Sequence, residues 1–104
     1  MSPALVRPLP APYSMLRIRE AFDDPLDTTL YVEGRIVSDW VSVLEDECGR
    51  LLQEPGRRLR LDLSAVRFVD GRGVVALRWL MMEGVALVNA PMFIEALLRG
   101  GGTL

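Results

Sequence analysis

The segment from Leu59 to Gly73, L-R-L-D-L-S-A-V-R-F-V-D-G-R-G, constrains the fold more than any other part of the sequence. Apolar and polar residues alternate at its start, which is typical of a strand with one buried face. The chain is then predicted to turn at Ser64–Ala65, with a loop anchored in the core by Val66, Phe68 and Val69. Asp70 precedes the apolar run Val74–Met82, at the place of a helix N-cap. The segment therefore predicts a strand, a tight loop and a helix from about Arg72 to Met82.

The remaining elements follow from the same kinds of pattern. Predicted strands are Met15–Arg19, Thr29–Glu33, Leu59–Leu63 and Val85–Val88, and the other predicted helices run from Ser38 or Asp39 to Gln53 and from Pro91 to about Gly100. The order is β-β-α-β-α-β-α, which indicates an α/β fold. The first two strands are expected to form a hairpin, and the helical connections make the later three strands parallel.

Three of the predicted strands alternate apolar and polar residues, whereas strands buried on both faces are apolar throughout. The sequence therefore predicts two layers: a mixed sheet of about four strands, with helices mainly on one face. The other face is expected to be open and polar, and to carry Arg17, Arg19, Tyr31, Glu33, Arg60 and Asp62. These side chains could form cross-strand ion pairs or a binding surface.

The 104 residues are enough for one domain. Residues 1–12 are rich in proline and are predicted to be a flexible arm, which leaves residues 13–104 as the single domain. The segment Met1–Pro12 lacks the continuous apolar stretch of a signal peptide, and no apolar run approaches the roughly 20 residues of a membrane-spanning helix. The sequence thus predicts a cytoplasmic protein that does not insert into a membrane.

The composition excludes most catalytic chemistry. The chain has no histidine and no lysine, and Cys48 is its only cysteine. Catalytic triads, Schiff-base lysines, the usual zinc ligand sets and internal disulfides are therefore excluded, and no cofactor or metal is expected. With 12 arginines against 14 acids, the chain also lacks the basic balance of a nucleic-acid binder. A small enzyme that uses Asp70 and Asp62 as acid and base remains a hypothesis from another class.

The segment Leu59–Gly73 resembles the signature of the STAS family, the anti-sigma-factor antagonists and related regulators. In that family a strand ending in D-L-S is followed by D-S-x-G or D-T-x-G, and a partner kinase phosphorylates the Ser or Thr. Asp70 and Gly73 match this motif, but Gly71 stands at the phosphoacceptor position. The resemblance covers roughly residues 15–100. Because family members usually carry a further strand and helix, the chain resembles a shortened version of that fold.

The resemblance implies a non-enzymatic, signalling-type module that binds a protein partner through the Asp70–Gly73 loop and the helix after it. The implied partners are anti-sigma-factor or switch-type kinases, with a transporter ATPase, of the lipid-transport type, as the alternative. Gly71 has no hydroxyl, so phosphorylation there cannot switch binding. A homodimer is also expected, because the last strand and the very apolar second helix would expose surfaces prone to association.

Several candidate residues allow more than one interpretation. Asp70 could be a helix cap only, or could also mark the partner-facing loop. Arg72 could hold an anion at the helix start or be a solvated surface residue. Trp79, with Met82 nearby, could pack under a neighbouring helix or belong to a contact patch. Cys48 is predicted to be buried, and the acidic run Glu45–Glu47 to be solvated.

Overall fold

The computed structural model describes residues 4–7, 16–24 and 26–100. The strands within these ranges are β1 Ala4–Arg7, β2 Leu16–Asp24, β3 Asp27–Ile36, β4 Arg58–Val69 and β5 Ala86–Val88. The helices are α1 Asp39–Leu52, α2 Gly71–Met82 and α3 Met92–Gly100. Apart from β1, the order of elements is the one that the sequence predicts.

The strands form one sheet in the order β1-β2-β3-β4-β5. The pairs β1–β2 and β2–β3 are antiparallel, whereas β3–β4 and β4–β5 are parallel. The predicted α/β fold, with a hairpin followed by parallel strands, is therefore confirmed. Helix α1 connects β3 to β4 and helix α2 connects β4 to β5, and both helices contact β4.

The sheet has one strand more than the sequence analysis predicts. Ala4–Arg7 lies within the predicted flexible arm, but it pairs with β2 in a register that places Ala4 opposite Ala21 and Arg7 opposite Ile18. The proline-rich sequence around it is typical of a linker, yet proline is also tolerated beside an edge strand, where few hydrogen bonds are lost. The rest of the predicted arm lies outside the described residues, as does Met15, the predicted start of the next strand.

Strand β4 is longer than predicted. It does not turn at Ser64–Ala65 but continues to Val69, beside β3, with register shifts opposite Tyr31–Glu33 and Gly34–Arg35. Each shift inserts an extra residue into β4, as in a β-bulge, and a bulge resets which side chains point inward. The irregular alternation after Leu63 that predicted a loop is therefore the signature of a bulged strand.

The bulges also correct the predicted role of Phe68. Val66 and Val69 are buried as expected, but Phe68 is 45% exposed and contributes little to the core. The guanidinium of Arg35 lies 5.1 Å from the centre of the Phe68 ring, a cation–π distance. Phe68 is therefore a surface partner of an arginine.

The core lies between the sheet and the helices. It consists of buried apolar side chains from β2, β3 and β4 that pack against α1, α2 and Ile94 of α3. Cys48 is fully buried in this layer, as predicted, and burial raises the pKa of its thiol to about 12. Across the described ranges, no helix is long and apolar enough to cross a membrane.

Two carboxylates are buried beside this core, which the sequence analysis did not predict. Glu20 on β2 is 2% exposed and Glu47 on α1 is 8% exposed. The prediction that Glu47 is solvated is wrong, because Leu44, Glu47 and Leu51 share the inner face of α1. Both carboxylates accept hydrogen bonds from the guanidinium of Arg50, with 3.1 Å from its Nη2 to Oε2 of Glu20.

Candidate interaction site at the start of helix α2

Asp70 connects the start of α2 to the loop between β3 and α1. Its Oδ1 accepts a hydrogen bond from the backbone N–H of Gly73 at 2.8 Å, and its Oδ2 accepts one from the backbone N–H of Ser38 at 2.9 Å. Its own N–H donates to the carbonyl of Ile36 at 3.1 Å. The predicted N-cap is confirmed, but one carboxylate also fixes two neighbouring loops relative to each other.

The link to Ser38 coincides with an unusual backbone conformation. Ser38 has a φ of 49°, a region that residues other than glycine rarely adopt. Its side chain makes no capping hydrogen bond to α1, so the predicted cap is present by position only. The hydrogen bond from its N–H to Asp70 links this loop to the start of α2.

The same contacts set the charge state of Asp70. Desolvation raises the pKa of Asp70, but the backbone N–H groups of Ser38 and Gly73 and the charge of Arg72 outweigh it, so the net pKa lies below its ordinary value. The carboxylate form is thus the one that stabilises the folded loop.

Asp70→Asn is expected to cost about 1 kcal/mol of unfolding free energy at neutral pH, because an amide keeps an acceptor for only one of the two N–H groups. A lowered folded-state pKa gives stability that is present above the unfolded pKa of about 3.9 and is lost as the pH falls through the folded value. The free energies of wild type and variant should therefore converge in acid. Urea unfolding at neutral pH and at decreasing pH measures this, and a difference that stays constant down to about pH 2 would contradict it.

The two glycines of the loop have different surroundings. A Cβ on Gly73 would lie 2.6 Å from the carbonyl oxygen of Ile36 and 2.6 Å from Cγ1 of Val69. A Cβ on Gly71 would meet no atom within 4 Å, and its φ is not positive. Gly73 is therefore required for close packing of α2 on β3, whereas Gly71 faces open space and could be replaced by serine without strain.

Helix α2 leaves one apolar face exposed. Arg72, Val75, Trp79 and Met82 recur at helical spacing, and the last three are 66%, 42% and 83% exposed. The opposite side of the helix is buried through Gly73, Ala76, Leu77 and Leu80. Trp79 thus does not lie fully under a neighbouring helix, and its role in a contact patch stays a prediction. We call Arg72, Val75, Trp79 and Met82 the α2 face.

A groove lies between α1 and α2. Glu45 and Asp46 of α1 form one wall, and Val75 and Trp79 of α2 form the other. On the far side of α2, Nη2 of Arg78 donates to the carbonyl oxygens of Leu97 and Leu98 at 3.3 and 3.0 Å. Arg78 therefore anchors the end of α3 and takes no part in the groove.

The open face of the sheet carries a second, polar depression of about 220 Å³. The predicted polar residues on this face are brought together there: Arg17, Arg19, Tyr31, Glu33 and Asp62 all line it, with Ser64. Only Arg60, of the predicted set, is not among them.

Most of these side chains already have partners in the sheet. The guanidinium of Arg19 lies 4.3 Å from the Tyr31 ring centre. Asp62 accepts hydrogen bonds from the N–H and hydroxyl of Ser64 at 2.9 and 2.7 Å, and from Nδ2 of Asn89 at 2.8 Å. Desolvation raises the pKa of Asp62, but these hydrogen bonds and the charge of Arg19 leave it below its ordinary value.

The carboxylates of Asp62 and Asp70 are poorly suited to acid–base catalysis. A general acid or base works best when its pKa lies near the working pH, but the pKa values of Asp62 and Asp70 are both shifted away from neutrality. Each is also held by at least two hydrogen bonds within the fold. Among the described residues, no group of three or more Cys, Asp or Glu side chains could hold a metal ion.

Comparison with known proteins identifies the fold. No protein-family model matches the chain, and no curated protein matches it. Solved structures do match. The unphosphorylated form of the anti-sigma-factor antagonist SpoIIAA has 12% identity and a TM-score of 0.67, over 82% of this chain and 80% of that one. An antisigma-factor antagonist STAS domain from Rhodobacter sphaeroides has 19% identity and a TM-score of 0.55, over 73% of this chain and 88% of that one. The chain therefore has the STAS-like fold of anti-sigma-factor antagonists.

Proposed function

We propose that the protein is a non-enzymatic, cytoplasmic regulatory module that binds a protein partner through the Asp70–Gly73 loop and the α2 face. The observation that carries this proposal is an exposed apolar surface, Val75, Trp79 and Met82, on a rigidly capped helix. Tryptophan and methionine are enriched at interfaces, and contiguous exposed apolar patches mark binding sites. The fold shared with anti-sigma-factor antagonists supports a partner such as an anti-sigma factor or a switch-type kinase.

Phosphorylation is not expected to control this surface. Gly71 offers no hydroxyl, and neither do the other residues from Asp70 to Gly73. We therefore expect no phosphate on this loop in protein purified from its own cells. Phosphopeptide mass spectrometry of the segment checks this, and a modified residue between Asp70 and Gly73 would contradict it.

Affinity capture from the source cell tests the proposal. The variant Arg72→Glu, Trp79→Ala changes a charge and removes an aromatic ring from the α2 face. Its matched control, Arg17→Glu, Tyr31→Ala, makes the same two kinds of change on the open face of the sheet. A partner that is captured by the wild type and the control but lost with the α2 variant supports the proposal.

A partner that is lost with the control variant only would place the binding site on the sheet and overturn the proposal. The identity of the captured protein also decides between an anti-sigma or kinase partner and a transporter ATPase. Circular dichroism of both variants establishes that they are folded before capture.

We also propose that the chain forms a two-fold dimer through the surface between α2 and α3. An open depression there is lined by the apolar side chains of Met81, Leu87, Ala90 and Leu98 and by the charged side chains of Glu95 and Arg99. Met92, at the start of α3, is 83% exposed. Strand β5 pairs only with β4 within the described sheet, so its outer edge is available to a neighbour. A two-fold contact would cover the same surface on both chains.

Sedimentation equilibrium tests the dimer at tens of micromolar protein, with Met81→Asp as the variant expected to be monomeric. Val75→Asp, on the α2 face, is the matched control and should leave the dimer intact. A monomeric wild type at that concentration would contradict the dimer but not the partner-binding proposal.

A further inference from the structure

We infer that the groove between α1 and α2 binds an arginine side chain of the partner protein, held between the indole of Trp79 and the carboxylates of Glu45 and Asp46. The inference rests on the proposed function, because it names the chemistry that the α2 face would recognise. It adds α1 to the site and predicts a charged anchor in the partner.

The groove combines the two features that bind a guanidinium. Trp79 is 42% exposed and lines one wall with Val75, so its indole can be covered by a planar cation. Glu45 and Asp46 line the other wall and supply carboxylate oxygens, which a guanidinium can engage through several N–H groups at once.

Neither Glu45 nor Asp46 forms a salt bridge with another residue that the structure describes. Every salt bridge found within the described part of the chain uses other carboxylates: Glu20, Glu47, Glu54 and Asp27. An arginine in the groove would satisfy both acids and shield the apolar wall from water. It would therefore bind there more favourably than a neutral side chain of the same shape.

A second copy of this chain fits the groove less well. In a two-fold contact centred on the groove, Glu45 and Asp46 of one copy would lie close to the same acids of the other, and like charges at close range destabilise a contact. The groove is thus complementary to a basic segment of a different protein.

The test uses N-acetyl-arginine amide and its neutral counterpart N-acetyl-citrulline amide as probes. They are titrated into the Trp40→Phe protein, in which Trp79 is the only indole, and indole fluorescence is followed at low salt. Arginine amide is expected to bind about tenfold more tightly than citrulline amide, an effect of the size that a cation–π contact and an ion pair supply. The variant Glu45→Gln, Asp46→Asn should remove this preference.

Equal responses to the two probes, or a preference that survives in the Glu45→Gln, Asp46→Asn variant, would overturn the inference. The same acid variant, used in the affinity capture, tests the arginine site separately from the proposed function. Capture that is lost with the Arg72→Glu, Trp79→Ala variant but undiminished with the acid variant leaves the proposed function standing and overturns the arginine site. Capture reduced about tenfold or more by the acid variant supports both.

Discussion

Gly73→Ala is expected to lower the free energy of unfolding by about 3 kcal/mol. The added methyl group would lie 2.6 Å from both the Ile36 carbonyl oxygen and Cγ1 of Val69, so α2 would have to move away from β3 and β4. Overpacking of this kind costs roughly 1–3 kcal/mol. The movement would also stretch the 2.8 Å hydrogen bond from Gly73 to Asp70, which adds about 1 kcal/mol. For a domain of this size the melting temperature should fall by about 10–20 °C.

Gly71→Ala is the matched control, because it makes the same change two positions earlier in the same loop. No atom lies within 4 Å of its added methyl group, and the φ of Gly71 is not positive. Since alanine also restricts the unfolded chain more than glycine, this variant should be unchanged or stabilised by up to about 1 kcal/mol. Thermal and urea unfolding of both variants measures the contrast. Equal stability of the two variants would show that α2 is not fixed at the position described.

This contrast also illustrates what the sequence could predict about the site. The motif around Asp70 was sufficient to place a helix start and its cap, because both depend on residues close together in the chain. It could not distinguish Gly71 from Gly73, since the restriction on Gly73 depends on how α2 packs against Ile36 at the end of β3 and Val69 at the end of β4. The bond from Ser38 to Asp70 was missed for the same reason, because it joins two distant loops.

For the fold as well, features that depend on nearby residues were predicted, and features that depend on distant residues were not. Periodicity predicted the order of the helices and the parallel strands correctly, because apolar spacing follows the geometry of each element. It failed at β4, where bulges break the alternation after Leu63, and at Ala4–Arg7, where prolines nearby suggest a linker. In both places the structure depends on pairing with a neighbouring strand. The local pattern of apolar and polar residues does not predict that pairing.

The buried carboxylates were missed although the sequence carried a signal for them. Leu16, Ile18 and Glu20 alternate with exposed arginines, so period 2 places Glu20 on the buried face of β2. On α1, Glu47 follows Leu44 by three residues and therefore lies on the same side of the helix. An acid at a buried position requires a cationic partner, and Arg50, three residues after Glu47, is the residue that supplies it.

Arg50→Met is therefore expected to destabilise the fold by about 2–3 kcal/mol. The change keeps the apolar stem but removes the guanidinium that bonds Glu20 and Glu47. The hydrogen bond to Glu47 is the main cause of the raised pKa of Arg50. Removing one member of a buried pair leaves uncompensated charge, which costs roughly 3–5 kcal/mol when both members are buried. The expected loss is smaller because the Arg50 side chain is 52% exposed and water can screen part of the charge.

A double-mutant cycle separates this cost from simple loss of packing. Glu20→Gln removes the more deeply buried negative charge and keeps nearly the same volume. If unpaired charge causes the destabilisation, then Arg50→Met combined with Glu20→Gln should be more stable than Arg50→Met alone, by about 1 kcal/mol or more. Additive losses, measured by urea unfolding of the four proteins, would mean that the unpaired charge of Glu20 does not cause the destabilisation. The expected non-additivity follows from geometry, because one guanidinium on α1 is the cation that bonds two carboxylates from different layers of the fold.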